Sequence, residues 1–140
     1  MIRIAIGGVG NCASALLQAM SVARSQPLTG LIRERIGPYG AGDIEVVAAF
    51  DIDARKVGRT VGEAALAPPN CVEVLTRELS MHTATVQMGP VLDGVPAHMA
   101  EFPEEQTFQV ANVAPVDVAA ELRRSHADIF VCYLPVISER

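Results

Sequence analysis

MIRIAIGGVGNCASALLQAM, residues Met1–Met20, decides the fold. A short apolar run, Ile2 to Ile6, leads into Gly7, Gly8 and Gly10, and an amphipathic stretch follows at once. Glycine loses the most conformational freedom on folding and packs nothing, so three of them at one bend mean that backbone is needed there more than side chains. Ala13, Leu16, Leu17 and Met20 fall at i, i+3, i+4 and i+7, one apolar stripe of a helix running from about Asn11 to Ala23. The opening therefore reads as a buried strand, a tight turn and a helix.

The same pattern continues along the chain. IEVVAAF (Ile44 to Phe50) is a second buried strand, ended by Asp51-Ile52-Asp53. Ala84 to Met88 is a third and DIFVCYL (Asp128 to Leu134) a fourth. Between them, Ala54 to Ala67 reads as a helix weakened by Gly58 and Gly62 and stopped by Pro68-Pro69. Pro115 is expected to open another helix, VDVAAELRRS, with proline near its first turn and cations in its last. Ser25 to Asp43, rich in glycine and proline, is mostly loop, with a turn of helix expected near Leu31 to Arg35. Strands alternating with helices predict an α/β fold, a doubly wound parallel sheet whose strand ends share one ligand-binding rim.

Composition narrows the function. Half of the 140 residues are hydrophobic and only 19% are charged, which is globular and enough for one domain, residues 1–140. The net charge of −5 and the lack of any Lys/Arg cluster argue against a nucleic-acid partner. The longest apolar run, Ile129 to Ile137, contains Pro135 and is about half the length a bilayer needs, so no membrane role is expected. Cys12, Cys71 and Cys132 have neither metal nor disulfide spacing, and His82, His98 and His126 are scattered and read as solvated, so no metal site is expected. Reduced thiols and the absence of a signal peptide predict a cytoplasmic protein. The chain stops just after its fourth strand, with no helix to cover it, and reads as the incomplete first part of a longer protein.

From Gly8 the turn spells G-V-G-N-C-A, which fits G-x-G-x-x-G/A in the strand-to-helix setting that gives the pattern meaning. Gly8 permits the tight turn, Gly10 lets backbone approach a diphosphate, and Ala13 keeps the helix close to the strand. The free N–H groups of the helix's first turn and the positive end of the helix dipole would face the phosphates. Asp51, at the end of the second strand, is the candidate for the adenosine ribose, and a carboxylate there favours NAD over NADP. Asp53 competes for the role, although at the start of the next helix it also suits an N-cap. Cys12 is read as a small side chain chosen for fit, and Asp93 in GPVLDG (Gly89 to Gly94) as a turn residue or a neighbour of the ligand.

These residues carry a resemblance. GVGNCAS (Gly8 to Ser14), VAAFDIDARKVG (Val47 to Gly58), GPVLDG, PVDVAAEL (Pro115 to Leu122), YLPVISE (Tyr133 to Glu139) and IGPYG (Ile36 to Gly40) resemble the bacterial and actinobacterial branch of myo-inositol-1-phosphate synthase, also called inositol-3-phosphate synthase. The resemblance implies a Rossmann-like NAD-binding part and a cytosolic isomerase, commonly homotetrameric, that serves inositol and phospholipid biosynthesis. In that family glucose 6-phosphate is oxidised by tightly held NAD, enolised and closed by an intramolecular aldol step, and the hydride is then returned. It carries over Gly8, Val9, Gly10, Asn11, Cys12, Ala13 and Asp51 to NAD, with Leu134, Pro135 and Val136 near the nicotinamide. Ile137 departs from the pattern, which has glycine there. The family's catalytic lysines and aspartates fall in a later segment, so no catalytic residue is assigned, and the chain alone is expected to be inactive. Two rival readings are another NAD-dependent oxidoreductase and a non-enzymatic nucleotide-binding or interaction module, the latter suggested by the exposed last strand.

Overall fold

A computed structural model describes residues 1–134. Its elements are β1 (Ile2–Gly7), α1 (Asn11–Ser25), β2 (Arg35–Ile36), β3 (Tyr39–Gly40), β4 (Ile44–Asp51), α2 (Val61–Ala65), β5 (Val86–Met88), α3 (Val118–Ser125) and β6 (Ile129–Cys132). Four of the strands form one parallel sheet in the order β5-β4-β1-β6. The chain lays strands outward on one side of β1 and then crosses to the other, so a topological switch point lies between β1 and β6. Gly7, Phe50 and Cys132 stand in register at the carboxyl rim, beside the Asp51–Met88 pair.

Helices cover both faces, as a doubly wound sheet requires. On one face Ile4, Ile6, Val46 and Ala49 pack against Ala13, Leu17 and Met20 of α1 and Val61, Ala64 and Ala65 of α2. On the other, Ala5, Ala48 and Phe50 meet Val118 and Leu122 of α3. The apolar stripe of α1 is thus the buried one, with Leu16 at its half-buried margin. The pairing of β1 and β4 jumps from Ile4–Val46 to Ala5–Ala48, leaving Val47 as an extra residue. That bulge is why Val46 and Ala48, two apart, serve opposite faces. At the sheet's edge Ile129 and Phe130 of β6 remain about half exposed.

Three expectations about local structure are corrected. First, Ala54 to Ala67 is not one helix. The Asp51 and Asp53 carboxylates capture the amides of Ile52, Asp53 and Arg55, and Gly58 turns left-handed at φ 86°. Gly58 and Arg59 then bond to Val86, so only Val61–Ala65 is helical, begun by a capping box in which Thr60 and Glu63 bond reciprocally. Second, Pro115 lies outside α3. Val116 donates to Met88, and the helix starts only after Asp117, whose side chain accepts from Ala120. Third, Leu31 to Arg35 forms no helix, because β2 and β3 pair across Gly37, at φ 58°, as a small hairpin.

His82 is also not solvated. It is buried, with its Nε2 2.9 Å from Ser21 Oγ and 3.2 Å from the Leu17 carbonyl, and burial holds its pKa below the ordinary value. His98 and His126 are exposed as expected.

Candidate functional site

Each glycine of the first turn has its own physical reason. A methyl on Gly7 would stand 2.7 Å from the Phe130 ring, so this glycine lets β6 lie close. Gly8 sits at φ 89°, which L side chains rarely adopt, and a Cβ there would press on the Tyr133 backbone at 3.3 Å. Gly10 differs from both. Its φ of −90° and ψ of −158° are open to any residue, and a Cβ on it would meet no atom within 4 Å. No described residue asks for glycine there, whereas a ligand drawn against the backbone would.

Gly10 is the N-cap of α1 and supplies no side chain to the helix's first amides. The Gly10 N–H has no partner among the described residues, and the first-turn amides of Asn11, Cys12 and Ala13 lie where a helix has no acceptors of its own. Four donors and the positive end of a 15-residue helix therefore open at the carboxyl rim.

Asp51 ends β4 opposite this turn. One carboxylate oxygen accepts from Val9 N at 2.7 Å; the other accepts from Ile52 N at 2.7 Å and Asp53 N at 2.9 Å. The backbone thus fixes the acid and fills three of its roughly four acceptor positions. One ribose hydroxyl fits without rearrangement, and a second would share an oxygen with one of these amides.

Asp53 has a different setting. It is fully buried, and it is no helix N-cap, since no helix begins at Ala54. Both of its oxygens are held by Arg55, with Nε at 2.8 Å and Nη2 at 2.6 Å, and it also accepts from Gln109 N at 3.2 Å. Burial opposes its charge, but the Arg55 guanidinium and these backbone donors leave its pKa below the usual carboxylate value. Arg55 reaches on to the carbonyls of Glu104 and Thr107, at 2.8 and 2.6 Å. Ala54 N donates to Gln109 O and Ala111 N to Ile52 O, so the segment 104–111 is stapled along the Asp51–Asp53 corner.

That staple builds a wall. A mainly apolar crevice of about 260 Å³ runs along the rim, lined by Gly8, Asp51, Lys56, Leu92, Phe108 and Leu134 among others. Its size suits a nucleoside rather than a whole dinucleotide. Leu92, in the GPVLDG loop, enters it from a left-handed backbone at φ 48°. A wider hollow of about 590 Å³ lies under the β2–β3 hairpin, beside Arg24, Leu31 and Asp43, remote from the glycine turn. The rim crevice is the better candidate, because it alone joins the free amides to a fixed acid.

Of the residues singled out in the sequence, Gly8, Gly10, Asp51 and Leu134 line this crevice. Val9 is fully buried and takes part through its backbone. Asn11 uses its side-chain oxygen to hold Cys71 N and Val72 N at 2.8 and 3.0 Å, and Cys12 is exposed in the first turn. Ala13 is buried against the strand, and Asp93 is exposed in its turn. Pro135, Val136 and Ile137 lie outside the described residues. The sequence reading missed Lys56, Phe108 and Leu92. Lys56 stands inside the FDIDARKVG motif, whereas nothing local marks Phe108. Among the described residues no group of His, Cys, Asp and Glu could hold a metal, and no helix is long and apolar enough to cross a membrane.

No protein-family model matches the chain. Curated relatives do. Inositol-3-phosphate synthase of Mycolicibacterium smegmatis is 40% identical over 142 aligned positions, which cover 99% of this chain and 38% of that protein. The synthases of Corynebacterium glutamicum and Mycobacterium tuberculosis are 42% and 38% identical over the same share of this chain. The chain is a relative of the N-terminal part of inositol-3-phosphate synthases. It spans under two-fifths of the length of the synthases it matches. Among solved structures, one titled "Crystal structure of Ari2" is similar with a TM-score of 0.72 and 31% identity over 96% of this chain and 38% of that one. A myo-inositol-1-phosphate synthase-related protein from Thermotoga maritima, at 20% identity and a TM-score of 0.63, shares the fold, covering 96% of this chain and 34% of its own. The α/β fold expected from the sequence is thus the one these two solved structures share.

Proposed function

We propose that this chain is the NAD-binding part of an inositol-3-phosphate synthase, serving the isomerisation of glucose 6-phosphate to a myo-inositol phosphate. NAD when bound supplies a hydride acceptor that gives the hydride back, so the overall reaction leaves the cofactor unchanged. The observation that carries the NAD reading is the cradle at Gly10, where backbone donors gather and no described residue needs glycine. Those amides would hold the diphosphate, Asp51 would hold the adenosine ribose, and Leu92 and Phe108 would flank the base. The relatives' names favour the synthase over another oxidoreductase and over a non-enzymatic module. A cytoplasmic location and a homo-oligomer belong to the same proposal.

Titration calorimetry with NAD tests it directly; the absence of heat and of any thermal shift would remove the proposal. Asp51→Asn tests the ribose contact. The amide keeps the shape but loses the charge-assisted acceptor, a loss of about 1.5–3 kcal/mol, or roughly 10- to 100-fold in NAD affinity. NADP, repelled by the carboxylate, is expected to lose less or to gain. Asp53→Asn is expected to lower the melting temperature while changing NAD affinity less; the reverse order would exchange the roles of the two acids. The chain spans under two-fifths of the synthases it resembles, so no inositol phosphate is expected from glucose 6-phosphate and NAD with these 140 residues alone. Turnover by that chain would refute this.

A further inference from the structure

Among the described residues Lys56 is the largest side chain with essentially no exposure, at 1%. Its Nζ donates to the Val9 carbonyl at 2.8 Å and to Asn70 Oδ1 at 2.8 Å. Asn70 in turn donates to the same Val9 carbonyl at 3.1 Å and to the Ala65 carbonyl at 3.0 Å. No carboxylate touches the ammonium among the described residues, and both of its acceptors are neutral. A buried cation with no anion in contact is unfavourable for folding, and an apolar side chain of similar volume would usually serve stability better. Burial pulls its pKa below the ordinary lysine value, while Asp51 and Asp53 oppose that from a distance.

The bond to Val9 explains its presence. A trans peptide points its C=O and N–H in opposite directions. With the Val9 carbonyl drawn inward by Lys56 and Asn70, the N–H on the far side of that peptide, which belongs to Gly10, is turned outward. This is the first free donor of the cradle. A cation on the carbonyl also polarises the peptide, so its N–H becomes a stronger donor.

We infer that Lys56 is a positioning residue for the diphosphate of the dinucleotide, acting through the Val9–Gly10 peptide and lending its charge from behind the glycine turn. The inference rests on the NAD reading above. It separates Lys56 from a merely structural lysine by ligand charge, since only ligands with a phosphate bridge should feel it.

The test compares adenosine, ADP-ribose and NAD on Lys56→Met and Lys56→Gln, each beside its melting curve. NAD and ADP-ribose affinity are expected to fall at least tenfold, with a shallower salt dependence, while adenosine stays within about twofold. Equal losses for adenosine and NAD, or unchanged NAD affinity in a folded variant, would overturn it. A readout in the unaltered chain does not depend on the variants folding. The Lys56 ammonium resonance should shift when ADP-ribose is added and not when adenosine is, and a resonance indifferent to both overturns the inference. If the unaltered chain binds adenosine but neither phosphate ligand, the NAD reading itself fails. If it binds NAD normally and Lys56 is silent, only the role of Lys56 is lost.

Discussion

Gly10→Ala should leave the protein as stable as before and cripple its hold on NAD. Two small effects on folding oppose each other. Alanine is a poorer N-cap than glycine, by several tenths of a kcal/mol. It also narrows the unfolded ensemble at a backbone conformation it can adopt, which stabilises by about 0.4–1 kcal/mol. The added methyl meets no atom of the described residues within 4 Å, so no clash among them tips this balance, and the melting temperature should move by no more than about 2 °C. In the bound state the same methyl occupies the space a diphosphate needs to reach the amides. Forcing an extra carbon into a fitted contact is unfavourable by about 1–3 kcal/mol, and the weakened hydrogen bonds add to it. NAD affinity is therefore expected to drop by about 30-fold or more. Calorimetry beside differential scanning reads both numbers from one preparation. A variant that binds NAD as well as the parent would show that the crevice is not used as proposed.

Gly62→Ala should do the opposite, damaging the fold whether or not nucleotide is present. In an ordinary helix the change would be favourable by about 1 kcal/mol. Here a Cβ would stand 2.3 Å from the Leu79 carbonyl oxygen and 3.1 Å from its carbon, with the His82 carbonyl at 3.3 Å. All three obstacles are backbone, and Gly62 N itself bonds to the His82 carbonyl, so neither partner can step aside cheaply. Overpacking against rigid atoms outweighs the propensity gain, and a net loss of about 2–3 kcal/mol is expected, roughly 10 °C in melting temperature. Thermal denaturation checks it. A rise in melting temperature would mean that the segment carrying Leu79 and His82 yields more readily than its bonds suggest.

The contrast between these two glycines marks what was legible in the sequence. Strands β1, β4 and β6 stood out because each is an apolar run bounded by glycine or aspartate, and the turn after β1 stood out through the spacing of its glycines. Asp51 was legible for the same reason, as the first acid after a buried strand. Position 62 was not, since its close approach to Leu79 is a tertiary contact with no local mark. Nor was the break-up of Ala54 to Ala67, where helix-forming residues lose to the carboxylates of Asp51 and Asp53 and to pairing with Val86. Lys56 is reached by seeing which carbonyl it holds, and Phe108 by the stapling of a distant segment. Pattern reveals elements and ends of elements, whereas the walls of a crevice come from residues that folding alone brings together.

The Arg55–Asp53 staple would also govern how the proposed preference for NAD could change. The acid proposed to meet the sugar and the panel proposed to flank the purine hang from one hinge-like corner of three residues, Asp51 to Asp53. They are mechanically one part. Altering the acid to welcome a 2′-phosphate would also tug on the panel two residues away, so a full switch of preference would have to rebuild both together, and a single change such as Asp51→Asn would carry the chain only part of the way toward NADP.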